Sequence, residues 1–139
     1  MPRPKIGVAV FIFKEDKVLL MKRKSSKKIG ENTWSIPGGH LEMFESFEKA
    51  IKRETLEEVG IKIKNLKFID ITNDFYIKAD KHYVTIFYKA EYFSGTPEIK
   101  EPKKCKEVKW ISIDAFPKKL FLPIKNLFKK YSLKEIYKK

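Results

Sequence analysis

Apolar and β-branched runs in the first part of the chain predict two strands joined by a hairpin. The runs Ile6–Phe13 and Val18–Met21 are separated by four charged residues, Lys14-Glu15-Asp16-Lys17, which is a typical turn length. A polar loop then extends from Lys22 to Thr33. Trp34–Ile36 has the pattern of a short strand, which the turn-forming sequence Pro37-Gly38-Gly39 is expected to end.

The second half of the chain repeats the change from strand to helix pattern. Leu66–Ile77 and Tyr83–Phe93 are long β-like runs, and Ser94–Lys106 is a loop containing glycine and prolines. A further strand is predicted at Val108–Ile113, and Pro123 is expected to open a helix that ends near Tyr131. Strands, a helix, more strands and a helix together predict an α/β fold with a mixed β-sheet. At this length we expect one domain over residues 1–139.

Ser46–Val59 has the period of an amphipathic helix. Ser46 or Glu45 is suited to the N-cap, and Gly60 to a left-handed C-cap. An i, i+4 stripe predicts the core-facing side, and it consists of Phe47, Ile51, Thr55 and Val59. Lys49, Lys52 and Arg53 fall on the opposite side, which is expected to face solvent.

Six of the chain's 18 acidic residues are concentrated in and just before this helix. Residues 39–61 have a charge balance of −3, whereas the chain as a whole carries +13. Glu45 and Glu48 have lysine partners four residues later, as on an ordinary solvated helix face. Glu54, Glu57 and Glu58 have no such partners, although repulsion and the helix dipole both disfavour anions there. Their spacing therefore predicts a divalent-cation site, and oxygen-only ligands favour Mg²⁺ or Mn²⁺ over zinc.

These glutamates belong to a longer pattern that resembles the Nudix box. Gly39, Glu45 and the run Arg53-Glu54-Thr55-Leu56-Glu57-Glu58-Val59-Gly60-Ile61 match it in register over 23 residues, with Thr55 where an aliphatic residue is usual. The segments PGGHLE, SFE, HYVTIF, EPKKC and LFLP are similar to small MutT-type Nudix hydrolases, including plant enzymes that act on oxidised dGTP. The resemblance extends from about Pro4 to Tyr131.

This resemblance implies a Nudix α/β/α sandwich and a Mg²⁺-dependent hydrolase, with Mn²⁺ as a substitute. The expected reaction converts a nucleoside triphosphate, such as oxidised dGTP, dGTP or dCTP, to the monophosphate and pyrophosphate. ADP-ribose or dihydroneopterin triphosphate is the alternative substrate class, and an inactive nucleotide-binding module is the alternative outside catalysis. By the family's pattern, Glu54, Glu57, Glu58 and the Gly38 carbonyl bind metal. Arg53 orients the glutamates unless it is simply a solvated cation.

Further site residues are implied by similarity at single positions. Glu101 has a metal or general-base role unless it is a solvated loop acid, and Arg23 contacts phosphate. Glu45 is either a peripheral ligand or a partner of Lys49, and His40 bonds either substrate or its own loop. Phe121 and Leu122 line the base pocket or pack in the core. Asn73, Asp74 and His82 are lower-ranked polar contacts to the base.

Phe44 is a departure from the family pattern, which usually has glycine there. Three outcomes are open: an ordinary backbone conformation, a place at the mouth of the substrate site, or reduced activity. Because the acids keep their register, the first is favoured.

Composition narrows the class of protein further. The cations are almost all lysines, with only Arg3, Arg23 and Arg53 as arginines, so specific nucleic-acid binding is not expected. The first apolar run is too short to cross a bilayer, and no signal-peptide pattern precedes it. The single cysteine, Cys105, excludes an internal disulfide and favours a reducing cytoplasm. We expect a monomer or homodimer with a small nucleotide as its partner.

Overall fold

Seven strands form one mixed sheet in a computed structural model that describes residues 2–24 and 29–139. The main order is β3-β2-β1-β6-β5, with β4 beside β1 and β7 beside β2. β1 and β6 run parallel in register from Lys5 opposite Tyr83 to Phe13 opposite Glu91, and the other pairings are antiparallel. The strands are β1 Lys5–Lys14, β2 Lys17–Arg23, β3 Trp34–Ser35, β4 Gly38–His40, β5 Lys62–Tyr76, β6 Lys81–Ser94 and β7 Cys105–Ser112.

Three helices accompany the sheet in the described part of the chain. They are α1 Phe47–Val59, α2 Leu122–Leu127 and α3 Leu133–Lys138, and none is long and apolar enough to span a bilayer. The expected caps of α1 are confirmed: the Ser46 hydroxyl accepts from the Lys49 N–H, and Gly60 has φ 73°.

The helices cover opposite faces of the sheet, which confirms the α/β sandwich. Along β1, side chains alternate between the two faces. Val8, Val10 and Ile12 pack with the buried residues of α1, and Phe11 and Phe13 pack with those of α2 and α3. Each strand of the centre is therefore buried on both sides, which explains why Ile6–Phe13 reads as one continuous apolar run.

Several predicted boundaries are wrong. β3 ends before Pro37 as predicted, but Gly38 and Gly39 are more than a turn, because they form β4 with His40 and pair with β1. β5 begins at Lys62 rather than Leu66, and β7 at Cys105 rather than Val108. Both strands are extended by pairing with neighbours that are distant in sequence, which a local pattern does not contain. Of the predicted polar loop, residues 25–28 lie outside the described residues.

The predicted C-terminal helix is two short helices. α2 ends at Leu127, and a separate N-cap at Ser132 starts α3. Ser132 and Glu135 form a reciprocal capping box, in which each side chain accepts from the other residue's backbone N–H. This Ser-x-x-Glu signal is visible in the sequence and indicates a second helix start, which the prediction of one helix did not include.

Two side-chain expectations in the acidic region are also wrong. Phe47 is substantially exposed, and Ala50 takes its place in the buried stripe with Ile51, Thr55 and Val59. Phe44 does not adopt an ordinary backbone conformation: its φ is 64°, and its side chain is fully exposed.

Candidate active site

A cleft of about 580 Å³ lies between α1 and β4 on one side and the start of α2 on the other. Its acidic end is lined by Glu54, Glu58 and Glu101 together with β4. Its aromatic end is lined by Tyr76, Tyr83 and Phe121. Arg23, at the end of β2, also lines the cleft. A single cavity thus combines carboxylates, a guanidinium and aromatic rings.

Glu54 and Glu58 face the cleft because they share a side of α1 with its buried stripe. They are four residues apart and flanked by Ala50, Ile51 and Thr55, so the stripe that anchors the helix also directs them inward. The backbone N–H of Gly38 donates to Glu58 Oε1 at 2.8 Å. At Gly39 the lack of a side chain makes room for Glu54, because a Cβ there would overlap the Glu54 carboxylate.

The backbone of β4 is directed towards α1 at alternate residues. Val10 and Leu41 bond across the β1–β4 pair to Pro37 and Ile6, so Gly38 and His40 fall at the positions that do not bond to β1. Their polar groups turn to α1 instead, where the carbonyl of His40 accepts from Arg53. The Gly38 carbonyl lies on the same side of β4 as its N–H, which places it near Glu58.

Arg53 is the centre of an ion-pair network rather than a solvated cation. It donates to both oxygens of Glu45, from Nε at 2.7 Å and from Nη2 at 3.0 Å. Its Nη1 donates to Glu54 at 2.8 Å and to Glu57 at 3.4 Å. These contacts raise the pKa of Arg53, mainly through Glu45. The guanidinium therefore holds the Glu54 carboxylate in place by charge-assisted bonds.

The remaining helix glutamates have different environments from those the sequence suggested. Glu45 pairs with Arg53 rather than Lys49, and its pKa is lowered, chiefly by that hydrogen bond. The Glu57 side chain is 55% exposed, contacts Arg53 and does not line the cleft. Of the three glutamates predicted to bind metal, the structure brings two together in the cleft.

Burial makes the acidic end unfavourable for negative charge in the metal-free protein. Burial, opposed by the Gly38 N–H bond and reinforced by the neighbouring Glu54 and Glu101, raises the pKa of Glu58 to about 8. Burial also raises the pKa of Glu54, although Arg53 opposes the shift. A cation at this end would relieve the same repulsion.

Glu101 and His40 both line the cleft, as their positions in the sequence suggested. Glu101 lies 3.6 Å from Lys104, so its carboxylate is neither isolated nor strongly bound. Burial, followed by the charges of Lys5, Lys104 and Lys81, lowers the pKa of His40. A neutral imidazole at neutral pH is the consequence.

Arg23 and Phe121 are brought together from opposite ends of the chain. The guanidinium lies over the Phe121 ring, 3.9 Å from its centroid, and a Cβ at Gly30 would overlap two carbons of that ring. Burial lowers the pKa of Arg23, and its buried Nε has no hydrogen-bond partner among residues 2–24 and 29–139. Leu122, the next residue, is the first of α2 and does not line the cleft.

Tyr76 and Tyr83 line the cleft and are absent from the sequence-based site. Their rings meet edge to face at 6.0 Å, and Tyr76 also lies 6.2 Å from Phe121. Tyr83 alternates with Thr85 and Phe87 on one face of β6, and this period of two was the available signal. The sequence does not reveal which face borders a cleft.

The lower-ranked polar residues do not reach the cleft. Asn73 and His82 bond each other at 2.9 Å on the surface. Asp74 is fully buried and accepts from Thr85 at 2.6 Å and from Asn126 at 2.9 Å. None of the three lines the cavity.

The residues present fit a hard divalent cation, although no three His, Cys, Asp or Glu side chains of residues 2–24 and 29–139 converge as a formed ligand cluster. The donors at the acidic end are all oxygens, which suits Mg²⁺ or Mn²⁺. The raised pKa of Glu54 and Glu58 reflects charge that a cation would compensate. Glu54, Glu58 and the Gly38 carbonyl are the groups that would hold it.

Comparison with known proteins agrees with the fold. An NAD-capped RNA hydrolase NudC of Pseudomonas aeruginosa is 30% identical over 116 residues, covering 84% of this chain but only 39% of that relative. An ADP-ribose pyrophosphatase of Methanocaldococcus jannaschii is 31% identical over 124 residues, covering 85% of this chain and 68% of the relative.

The solved structure of a MutT Nudix hydrolase from Burkholderia pseudomallei superposes with a TM-score of 0.83. It is 27% identical, and the match covers 94% of this chain and 100% of that one. The model of the NUDIX domain matches residues 3–131, which include every strand, α1 and α2. The chain therefore belongs to the Nudix hydrolase family.

Proposed function

We propose that this protein hydrolyses a phosphoanhydride bond in a nucleoside triphosphate, with Mg²⁺ or Mn²⁺ as cofactor. The observation that carries the proposal is that one cleft has both an acidic end, with Glu54 and Glu58, and an aromatic end. Arg23 lines the same cleft. The acidic end suits a metal-bound diphosphate, and the aromatic end suits a nucleobase.

The chain's own residues supply binding and proton transfer. Arg23 is placed to contact phosphate oxygens, because it lines the cleft with its guanidinium held over Phe121. Arg53 orients Glu54, and the Gly38 N–H orients Glu58. A bound cation supplies charge neutralisation of the phosphates and a lowered pKa for a coordinated water.

In the proposed reaction, water attacks phosphorus and the bridging P–O bond breaks. One product is the nucleoside monophosphate, and the other is pyrophosphate. The water proton passes to a carboxylate, for which Glu101 and Glu58 are the candidates in the cleft. Glu57 acts through its contact with Arg53 or joins the metal site on substrate binding.

ADP-ribose is a second candidate substrate. Support comes from the Methanocaldococcus relative, which is named an ADP-ribose pyrophosphatase and is matched over 68% of its length. The NudC relative extends the candidates to NAD-capped RNA, but this chain spans only 39% of it. We keep small nucleotides as the substrate class, because the cationic surface is rich in lysine rather than arginine.

A cytoplasmic location is part of the proposal, and so is one domain formed by residues 1–139. The single cysteine, Cys105, is a buried thiol, and burial raises its pKa, so it suits a reducing compartment and carries no catalytic role.

The test is a substrate panel with Mg²⁺ that contains GTP, dGTP, oxidised dGTP, dCTP, ADP-ribose and an NAD-capped oligonucleotide. We expect wild-type activity on at least one triphosphate, and a loss of at least about 100-fold in kcat/KM for Glu58→Gln. Glu48→Gln is the matched control, because Glu48 lies on the same helix outside the cleft. No hydrolysis of any compound would refute an enzyme, whereas cleavage of ADP-ribose alone would select the second candidate.

A further inference from the structure

A buried carboxylate lies directly behind the wall of the cleft. Asp74 on β5 is 0% exposed, and both of its oxygens accept from neutral donors. The Thr85 hydroxyl donates to Oδ2 at 2.6 Å, and the Asn126 side-chain amide donates to Oδ1 at 2.9 Å. Asn126 comes from α2, so this cluster ties the helix beside the aromatic end to the sheet below it.

Thr85 connects this cluster to the cleft. It lies on β6 between Tyr83 and Phe87, and all three residues line the cavity. Pro123 and Ile124 of α2 line the cavity as well. Thr85 is 7% exposed and belongs to the wall at the aromatic end.

The bond to Asp74 determines what Thr85 is able to offer. A threonine hydroxyl has one proton and two lone pairs. The proton is committed to Asp74 at 2.6 Å, so only acceptor capacity is left. Towards a ligand, Thr85 is therefore a hydrogen-bond acceptor and not a donor.

We propose that Thr85 selects nucleotides whose base carries an exocyclic amino group, with Asp74 as the positioning residue that fixes the direction of the hydroxyl proton. Adenine, guanine and cytosine all carry such a group, whose N–H is accepted by Thr85 Oγ1, and aminopurine nucleotides are the members of this class that the test uses. The inference rests on the proposed function to the extent that the ligand is a nucleotide. It adds the feature of the base that is read.

Two pairs of monophosphates test this directly, because they contain no anhydride to hydrolyse. AMP differs from purine riboside monophosphate, and GMP from IMP, by one exocyclic amino group. Calorimetric Kd values with Mg²⁺ are expected to favour the amino compound in at least one pair by about fivefold, as for one neutral hydrogen bond. The corresponding triphosphates give kcat/KM ratios as a second readout.

Three variants separate proton direction from simple packing. Thr85→Ser keeps the hydroxyl and is expected to keep the preference. Thr85→Val keeps the shape, loses the acceptor and is expected to bring the ratio to about one. Asp74→Asn presents an amide donor to Thr85, which frees the hydroxyl proton for the ligand, so the preference is expected to disappear or reverse. Melting curves identify any variant that fails to fold. In that case the conservative variant Thr85→Ser still tests the inference, because it is expected to keep the amino preference.

Equal affinities in both wild-type pairs, or no binding of any monophosphate, would overturn the inference. So would a preference that survives Thr85→Val. If the wild-type protein hydrolyses no triphosphate but prefers the amino compounds, the proposed reaction is refuted and the role of Thr85 in base selection stands. If it hydrolyses triphosphates without any amino preference, the role of Thr85 is refuted and the proposed reaction stands.

Discussion

Phe44 has a backbone conformation that its side chain disfavours, and replacing it should stabilise the protein. The Glu45 N–H donates to the Glu42 carbonyl at 3.2 Å, which closes a four-residue turn with Phe44 as its third residue. Its φ of 64° is in the left-handed region, where glycine is usual. The aromatic ring is fully exposed, so no burial compensates the strain.

The size of the effect follows from two opposing contributions. A side chain in the left-handed region costs about 1–2 kcal/mol, and the greater freedom of glycine in the unfolded chain costs roughly 0.5–1 kcal/mol. Phe44→Gly is therefore expected to raise the free energy of unfolding by about 0.5–1 kcal/mol. For a chain of this length, that corresponds to an increase in Tm of about 2–4 °C.

Denaturant unfolding of three proteins measures this contribution. Phe44→Gly is compared with wild type and with Phe44→Ala, which removes the ring but keeps the Cβ that causes the strain. We expect Phe44→Ala to match wild type within about 0.5 kcal/mol. If Phe44→Gly is no more stable than Phe44→Ala, then the positive φ is not the source of the cost, and the reasoning is refuted.

Three other predictions concern the site and the C-terminus. Gly39→Ala should displace the Glu54 carboxylate, lowering activity at least about tenfold while the far-ultraviolet spectrum stays native. Lys89→Met should lower the unfolding free energy by about 1–2 kcal/mol, because the Lys89 ammonium caps three carbonyls at the end of α3; Lys62→Met, at the exposed start of β5, is the control. The pKa of Glu58 is raised to about 8 in the metal-free fold, so its buried carboxyl is tolerated when protonated and destabilises the fold when ionised. Its stability should thus fall as pH rises from about 4.5 to 8, and Glu58→Gln should show a shallower decline; equal slopes would contradict this.

Local chemistry in the sequence was sufficient for the elements that depend on near neighbours. The extent of α1 follows from the period of its apolar residues, the Ser46 hydroxyl and the left-handed Gly60. β1 follows from a continuous apolar run that is buried on both faces. The resemblance to the Nudix box predicted the α/β/α sandwich and the candidate metal-binding glutamates. This was possible from the sequence because the motif lies within one short segment.

Only the tertiary structure decided how these residues are used. Pairing with β1 made Gly38–His40 a strand, since the backbone partners lie thirty residues earlier in the chain. Packing of α1 on the sheet turned Glu54 and Glu58 into the cleft and left Glu57 outside it. The sequence of the helix alone does not distinguish these three glutamates.

The aromatic end shows the same division. Arg23 meets Phe121 across nearly the whole sequence, and Asp74 directs Thr85 from a neighbouring strand. The sequence by itself determined which residues have the right chemistry, because side-chain type and local period are written in it. The fold decided which of them share a cavity, because that depends on burial and strand pairing between distant segments.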